Sequence, residues 1–560
     1  MDGQATIENA PQLLRHLCAR FGDRAVAIGG GRELTYQQVE AESGRLARGL
    51  LLAGVGKGTR IGLLMPNSPD WLVCWMAALR IGAVLIGVST FLRPRELAWL
   101  LKFADIDTLL MKDAYLRHNY VEELELALPS LATGEASRPL TVPEAPFLRS
   151  VWIWGGGRPA WARGTGPELL ARGDELDREF LAEAESQVAP ADLGVLIFTS
   201  GTTAHPKGVA HTQGAIVRRL FELEPFSSRA DGERVGILTP LFWIGGLYSA
   251  LSTMLAGGTL VFPDRPDPAY MIDFITRQKL DYLTGWAGQL NAIRQHQDFT
   301  PAVFAGLKSS GVQARSGLLP SGSAAPPERT PSMLGMTETF GPHSGEHRGT
   351  LLSEDRQGSF GRGIGAFERK VVDPQTGIAL APGTSGELLI RGPLMMEGYY
   401  KRERHEVFEP DGFFRTGDRC RILQDGHLFF EGRLGEMIKT SGANVAPEEV
   451  EQVLLAQPEV REAYVIGRPD PAMGQVVVAL VVPEGEVAPD EAVLRARLGR
   501  ELSAYKVPKQ ITFIRAEDVP RSTASGKVQK VRLLERFDLS GRTPAGAPVA
   551  STSEMEADAQ

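Results

Sequence analysis

Residues 198–208 read FTSGTTAHPKG and continue from an apolar run, residues 193–198, with the composition of a buried strand. Five hydroxyl or glycine positions, Thr199, Ser200, Gly201, Thr202 and Thr203, precede Pro206, Lys207 and Gly208. Glycine lets backbone N–H groups approach an anion, hydroxyls add donors and lysine brings a point charge, a combination that suits a polyphosphate. The spacing is not that of the mononucleotide loop GxxxxGK[ST], because Gly208 stands where Ser or Thr would hold magnesium. The plain alternative for such a segment is a polar surface loop. Other chemistry-bearing clusters are sparse. Cys18, Cys74 and Cys420 have no CxxC spacing, which excludes a zinc ribbon or a disulfide framework and fits a reducing, cytoplasmic setting. His343 and His347 have the one metal-like spacing, but Pro342, Ser344 and Gly345 around them make a poor helix, so they read as two loop histidines.

A phosphate loop needs a rigid frame, and the flanking sequence supplies one. Residues 34–55 place Val39, Leu46, Leu50 and Leu51 at helical spacing and end at Gly54 and Gly56. A short strand over 60–65, a helix over 71–80, a strand over 83–88 and a helix over 95–103 follow. Strands alternating with helices of this length predict a parallel sheet covered by helices. Residues 128–167 are rich in Pro, Gly, Ala and Arg with little periodicity and read as a long surface connection. A second alternating stretch spans 193–290, with strands at 236–238 and 259–262. From 358 to 430 the pattern turns to short β segments broken by Gly and Pro, at 369–372, 387–391 and 427–430, which predicts an antiparallel barrel or sheet. Beyond 435 comes a compact module: a helix opened by Pro447 with Val450, Val453 and Leu454 on one face, then strands at 463–466 and 476–482.

The whole chain is consistent with a multidomain globular protein. Its 560 residues correspond to three or four units at about 150 residues each. With 43% hydrophobic and 23% charged residues, wholesale disorder, collagen-like repetition and a coiled-coil rod are excluded. The net charge of −8 lacks the basic field that attracts nucleic acid. No apolar window is long enough to span a bilayer, and the first ten residues carry two acidic groups and no secretory signal pattern. The 62 glycines and 37 prolines are well above average usage of roughly 7% and 5%.

In its ordered motifs the sequence resembles the adenylate-forming superfamily of acyl-CoA synthetases, luciferases and peptide synthetase adenylation domains. After the loop ending in Pro206-Lys207-Gly208 come GMTET at 335–339, TGD at 416–418, GRLGEMIKTSG at 432–442 and PRSTASGK at 520–527, in the family's order over more than 300 residues. The resemblance implies an α/β fold: a large N-terminal domain of two α/β subdomains plus a β-barrel subdomain over 1–432, and a small mobile α+β C-terminal domain over 433–540. Residues 541–560, small and polar, read as a disordered tail. It also implies roles. Glu338 would hold Mg2+, which takes few protein carboxylates and keeps waters and phosphate oxygens, and Thr337 would donate to the α-phosphate. Asp418 would accept from the two ribose hydroxyls with support from Arg433. Lys527 would orient the substrate carboxylate and stabilise charge on the leaving oxygen, a contribution of about 10²- to 10³-fold. Gly435 sits at the position of the interdomain hinge, and after rotation residues 439–443 would face the site, with Gly442 letting a pantetheine arm pass.

Four departures from the family pattern bear on substrate binding. Ala204 stands where a third loop glycine is usual, Leu334 replaces the aromatic that stacks on adenine, and residues 322–334 form a shortened connection; a lower adenine affinity follows. Trp243, in LFWIGG, replaces a histidine; with Phe242 it could gate an acyl tunnel beside Gly245 and Gly246, or it could simply fill a core. The expected activity is an ATP-dependent, AMP-forming acyl-CoA ligase using ATP, Mg2+ and coenzyme A on a carboxylic acid, a medium or long fatty acid first, with steroid side-chain acids and aryl acids as open alternatives. Its expected partners are small molecules and, by the commonest prior, a second copy in a homodimer. The rivals are a ligase that loads a carrier protein and a non-catalytic nucleotide-binding protein.

Overall fold

The computed structural model describes residues 6–133, 139–199, 206–227, 229–285, 287–308, 332–434, 437–485, 488–520, 528 and 530–537. Ser200, Gly201, Thr202, Thr203, Ala204, Gly435, Lys527 and the expected tail lie outside these, as do residues 322–331 of the shortened connection.

An eight-stranded sheet forms the frame. In spatial order it runs Gly398–Tyr399, Lys207–Thr212, Leu193–Thr199, Val84–Gly87, Arg60–Leu64, Thr108–Lys112, Ser150–Trp154 and Gly164–Thr165. The last six strands are mutually parallel, and the first two attach antiparallel. The central strands Leu193–Thr199, Val84–Gly87, Arg60–Leu64 and Thr108–Lys112 read as near-continuous apolar runs because both faces are covered. Ile61, Leu63, Val195 and Ile197 enter one core, while Leu64, Ile86, Leu196 and Met111 enter the other. The helix Pro69–Arg80 starts at Ser68, whose side chain caps the Trp71 N–H, and buries almost its whole length in the first core. A second sheet of five strands pairs Tyr282–Thr284, Arg234–Ile237, Thr259–Val261 and Ala25–Gly29 in parallel, with Arg32–Thr35 antiparallel at its edge.

The stretch 128–167 departs from the expected surface connection. Ser150–Trp154 is a buried strand of the main sheet, and Leu148, Trp161 and Ala162 are buried around it. Its glycines are packing devices: a Cβ on Gly166 would lie 2.2 Å from the Trp154 ring. Glycines also let two helices touch backbone to backbone. A Cβ on Gly49, within the helix Tyr36–Leu52, would lie 2.0 Å from the Leu169 carbonyl oxygen, and one on Gly173 would lie 1.9 Å from that of Arg45. Alanine favours an exposed helix by about 1 kcal/mol over glycine, but here the clash is with backbone that cannot rotate away. We therefore expect Gly49→Ala to destabilise the protein by about 3 kcal/mol, read as a lowered denaturation midpoint at unchanged m-value.

The antiparallel β region is a four-stranded sheet in the order Glu368–Val372, Gly386–Arg391, Phe414–Ile422 and Leu428–Arg433. The Phe360 N–H to Leu428 O hydrogen bond ties it to a three-stranded sheet of Leu334–Met336, Gly341–Gly345 and Arg362–Gly363. His343 is therefore not a loop residue: it lies in the strand Gly341–Gly345, fully buried, with Nδ1 on Ser344 Oγ at 2.9 Å, and His347 packs on Phe226. Among the described residues no group of three or more metal-ligating side chains occurs. The small C-terminal domain carries Ile438–Thr440, Ala443–Val445, Gly474–Pro483, Val460–Asp470 and Gln510–Phe513 in one sheet with its own apolar core, and the helix Pro447–Leu455 buries Val450, Val453 and Leu454. No helix among the described residues is long and apolar enough to cross a membrane.

Candidate active site

The described ends of the glycine- and hydroxyl-rich loop are held in register. Thr199 ends one strand, Lys207 opens its antiparallel neighbour, and the two are cross-strand partners. The Lys207 Nζ lies 4.9 Å from the Tyr399 ring centroid, a cation–π contact. Burial lowers the Lys207 pKa, opposed by Glu338 and reinforced by Arg402 and Arg433. Tyr399 in turn donates its hydroxyl to Glu338 Oε1 at 2.7 Å. Burial first, then the Glu338 charge, pushes the Tyr399 pKa up, so the phenol stays protonated and remains a donor. Tyr399 thus joins the first two motifs, and sequence reading had passed over it. The only signal was its place in a GYY triplet pairing with the Lys207 strand.

Thr337 and Glu338 sit on the tight turn Thr337–Thr339, which a bend at Phe340 (φ 47°) returns into the strand Gly341–Gly345. Gly335 is required by the close approach of that strand, since a Cβ there would lie 2.4 Å from the Gly341 oxygen. Thr339 Oγ1 donates to the Gly341 carbonyl at 2.6 Å, and the buried His211 Nε2–H donates to the Thr337 carbonyl at 2.7 Å. Burial pushes the His211 pKa down to about 4, so the ring is neutral and its Nε2–H is an N–H donor at neutral pH. His211 is a second residue that motif reading missed.

Asp418 and Arg433 are cross-strand partners and form an ion pair, with Arg433 Nε 2.7 Å from Asp418 Oδ1. Burial raises the Asp418 pKa, while Arg433 and then Lys439 pull it down. Lys439 belongs to the hairpin Ile438–Thr440 and Ala443–Val445, whose turn has Ser441 at φ 48° and Gly442 at φ 83°. That turn stands on the wall of a cavity of about 310 Å³, which Gly442 and Ala443 share with Thr199, Thr337, Phe242 and Trp243. The small domain is therefore docked with its hairpin at the cavity. Leu334, half-buried, packs against the core of the four-stranded sheet.

Trp243 caps the helix Ile244–Leu255 and makes edge contacts with Phe242 at 5.1 Å and with Tyr505 of the small domain at 6.3 Å. Gly245 lines the cavity, whereas Gly246 does not: it packs on the chain before the helix, where a Cβ would lie 2.1 Å from the Pro240 oxygen. A second cavity of about 600 Å³ shares Trp243, Ala443 and Tyr505 with the first and is lined by Arg93, Arg117, His118 and Glu123 of the large domain and by Thr440, Ser441 and Ala504 of the small one.

Comparison with known proteins extends this picture. Residues 14–400 match the family described as AMP-binding enzyme, and residues 449–527 match the AMP-binding enzyme C-terminal domain. A sulfoacetate–CoA ligase of Cupriavidus necator is 30% identical over 90% of this chain and 92% of its own length. A long-chain-fatty-acid–CoA ligase of Mycobacterium tuberculosis is 28% identical, covering 90% and 93%. In fold, the chain is similar to the o-succinylbenzoate CoA synthetase of Bacillus subtilis, solved as a double mutant with a product analogue, at a TM-score of 0.69 and 22% identity over 94% of this chain and 98% of that one.

Proposed function

The chain belongs to the AMP-binding, adenylate-forming enzyme family, in its acyl-CoA ligase branch, and from that membership we propose that it activates a fatty acid and passes it to coenzyme A. In the first step a carboxylate oxygen attacks the α-phosphorus of ATP and the bond to pyrophosphate breaks. In the second, the CoA sulfur attacks the acyl carbon and AMP leaves, with the thiol proton released.

The residues fit these substrates. Lys207 and the hydroxyls of Thr199 to Thr203 would hold the phosphates, with Ser200, Gly201 and Thr202 between them; Thr337 would donate to the α-phosphate and Asp418 would hold the ribose. Glu338 fits magnesium, because Tyr399 occupies only Oε1 and leaves the second carboxylate oxygen for a hard cation. When bound, Mg2+ neutralises phosphate charge. Trp243, Phe242, Leu92, Trp99 and Leu100 give the cavity an apolar wall, which supports a hydrocarbon chain.

The observation that carries the reading is the pair of neighbouring cavities that share Trp243, Ala443 and Tyr505. Gly442 and Thr337 both line the first, and Arg93 and Arg117 line the second together with Glu123; the two cations suit a CoA diphosphate. The Nε of Arg93 is buried without a protein partner.

The test supplies ATP, Mg2+ and CoA with acids graded in length and ring content. Thioester release with CoA as the sole acceptor, strongest for fatty acids, is the expected result. Pyrophosphate exchange without thioester would favour a carrier protein as acceptor. No exchange with any acid would favour a nucleotide-binding protein without catalysis.

A further inference from the structure

The docked interface holds a buried ion cluster that belongs to none of the motifs and lines the cavity of about 310 Å³. Lys506, in the small domain, places Nζ 2.6 Å from Oε1 of Glu96 in the large domain and 2.7 Å from Oε1 of Glu449 in its own. The three side chains are 3%, 11% and 12% exposed. Glu96 lies in the first turn of the helix Pro94–Phe103, where its Oε2 accepts from the Arg93 N–H at 2.8 Å and from Ser503 Oγ at 2.8 Å. Next to Glu96 in the chain, Arg95 pairs with Glu501 across the same interface. Tyr505 sets the adjoining edge contacts, 6.4 Å from Phe91 and 6.3 Å from Trp243.

We infer that Lys506 and Glu96 form an interdomain clasp that holds the small domain in the arrangement with Gly442 at the cavity, making Lys506 a positioning residue for thioester formation. This rests on the proposed two-step reaction for its kinetic consequence, but not for its geometry. Glu449 keeps the ammonium oriented within the small domain, so docking adds a pre-aimed charge–charge bond rather than ordering a free side chain. The cluster also has one cation between two carboxylates. Removing the cation leaves Glu96 and Glu449 facing each other, so the docked arrangement loses an attraction and gains a repulsion, whereas an undocked Glu96 is solvated. Removing Glu96 alone costs only the attraction.

The ordering of three variants is therefore the signature. With fluorophores on cysteines placed at the exposed Leu126 and Val493, one per domain, Lys506→Met shifts the distance distribution away from the docked value, Glu96→Gln shifts it less, and the double variant recovers part of the Lys506→Met loss. Thioester formation from preformed acyl-adenylate falls about 10- to 100-fold in Lys506→Met, a larger loss than in acid-dependent pyrophosphate exchange. A Lys506→Met protein with the docked distance and an unchanged thioester rate overturns the clasp, as does a double variant no better than Lys506→Met. Should Lys506→Met fail to fold, Glu96→Gln decides, since it leaves Lys506 paired with Glu449 inside the small domain: an unchanged distance distribution and thioester rate in Glu96→Gln would then overturn the clasp. Should the wild-type protein make no thioester from CoA, the acceptor assignment fails and the distance measurement still judges the clasp.

Discussion

Replacing Lys527 with alanine is expected to lower acyl-adenylate formation about 10²- to 10³-fold while leaving thioester formation from preformed adenylate close to wild type. The first step brings a carboxylate to a polyphosphate, so two anions must meet while negative charge grows on the departing oxygen. A lysine in that gap orients one anion and stabilises the other. In the second step the leaving group is AMP, the nucleophile is a neutral thiol or its thiolate, and the crowding of anions is gone. With the small domain docked, Gly442 and Ala443 stand on the cavity wall. On the proposed reading the lysine and the hairpin therefore act in turn. Pyrophosphate exchange and single-turnover acyl transfer, measured separately, check this; equal loss in both would remove Lys527 from the first step.

The second large effect concerns Glu338. Glu338→Gln keeps the shape and a hydrogen-bond partner for Tyr399 but removes the charge, so adenylation is expected to fall by about 10²-fold, with a higher Mg2+ concentration needed for half-maximal rate. Tyr399→Phe leaves the charge and removes only the 2.7 Å bond to Oε1; its effect should be about tenfold, a typical worth for a hydrogen bond to a charged group. The two substitutions together should cost little more than Glu338→Gln alone, because the tyrosine acts through the glutamate. Magnesium titrations of the exchange rate separate these outcomes, and an unchanged magnesium dependence in Glu338→Gln would move the metal elsewhere.

Local pattern carried the reading of the frame a long way. The apolar run LGVLIF at 193–198, the helix over 71–80 and the C-terminal helix opened by Pro447 all occur where periodicity places them. Each is decided by which side chains must leave water, and burial on one or both faces writes itself into the spacing. The strand Ser150–Trp154 was illegible for the opposite reason. Its five residues are isolated among Pro, Gly and Arg, and its tryptophans are accommodated by glycines whose purpose appears only when the Trp154 ring is seen against Gly166. His343 followed the same logic: Pro342 and Gly345 exclude a helix, and an extended strand satisfies them as well as a loop does.

The motifs, in their order, determined the family, the kind of reaction and most of the residues proposed to perform it, because phosphate, ribose and magnesium each demand particular side-chain chemistry close together in the chain. Tertiary structure alone decided what lies between the motifs. Tyr399 reaches Glu338 across 61 positions, His211 reaches Thr337 across 126, and Lys506 reaches Glu96 across 410. Such contacts leave no spacing to read, since they are made where separate elements pack. Their strength comes from the exclusion of water around them, which is a property of the folded surroundings and not of any segment.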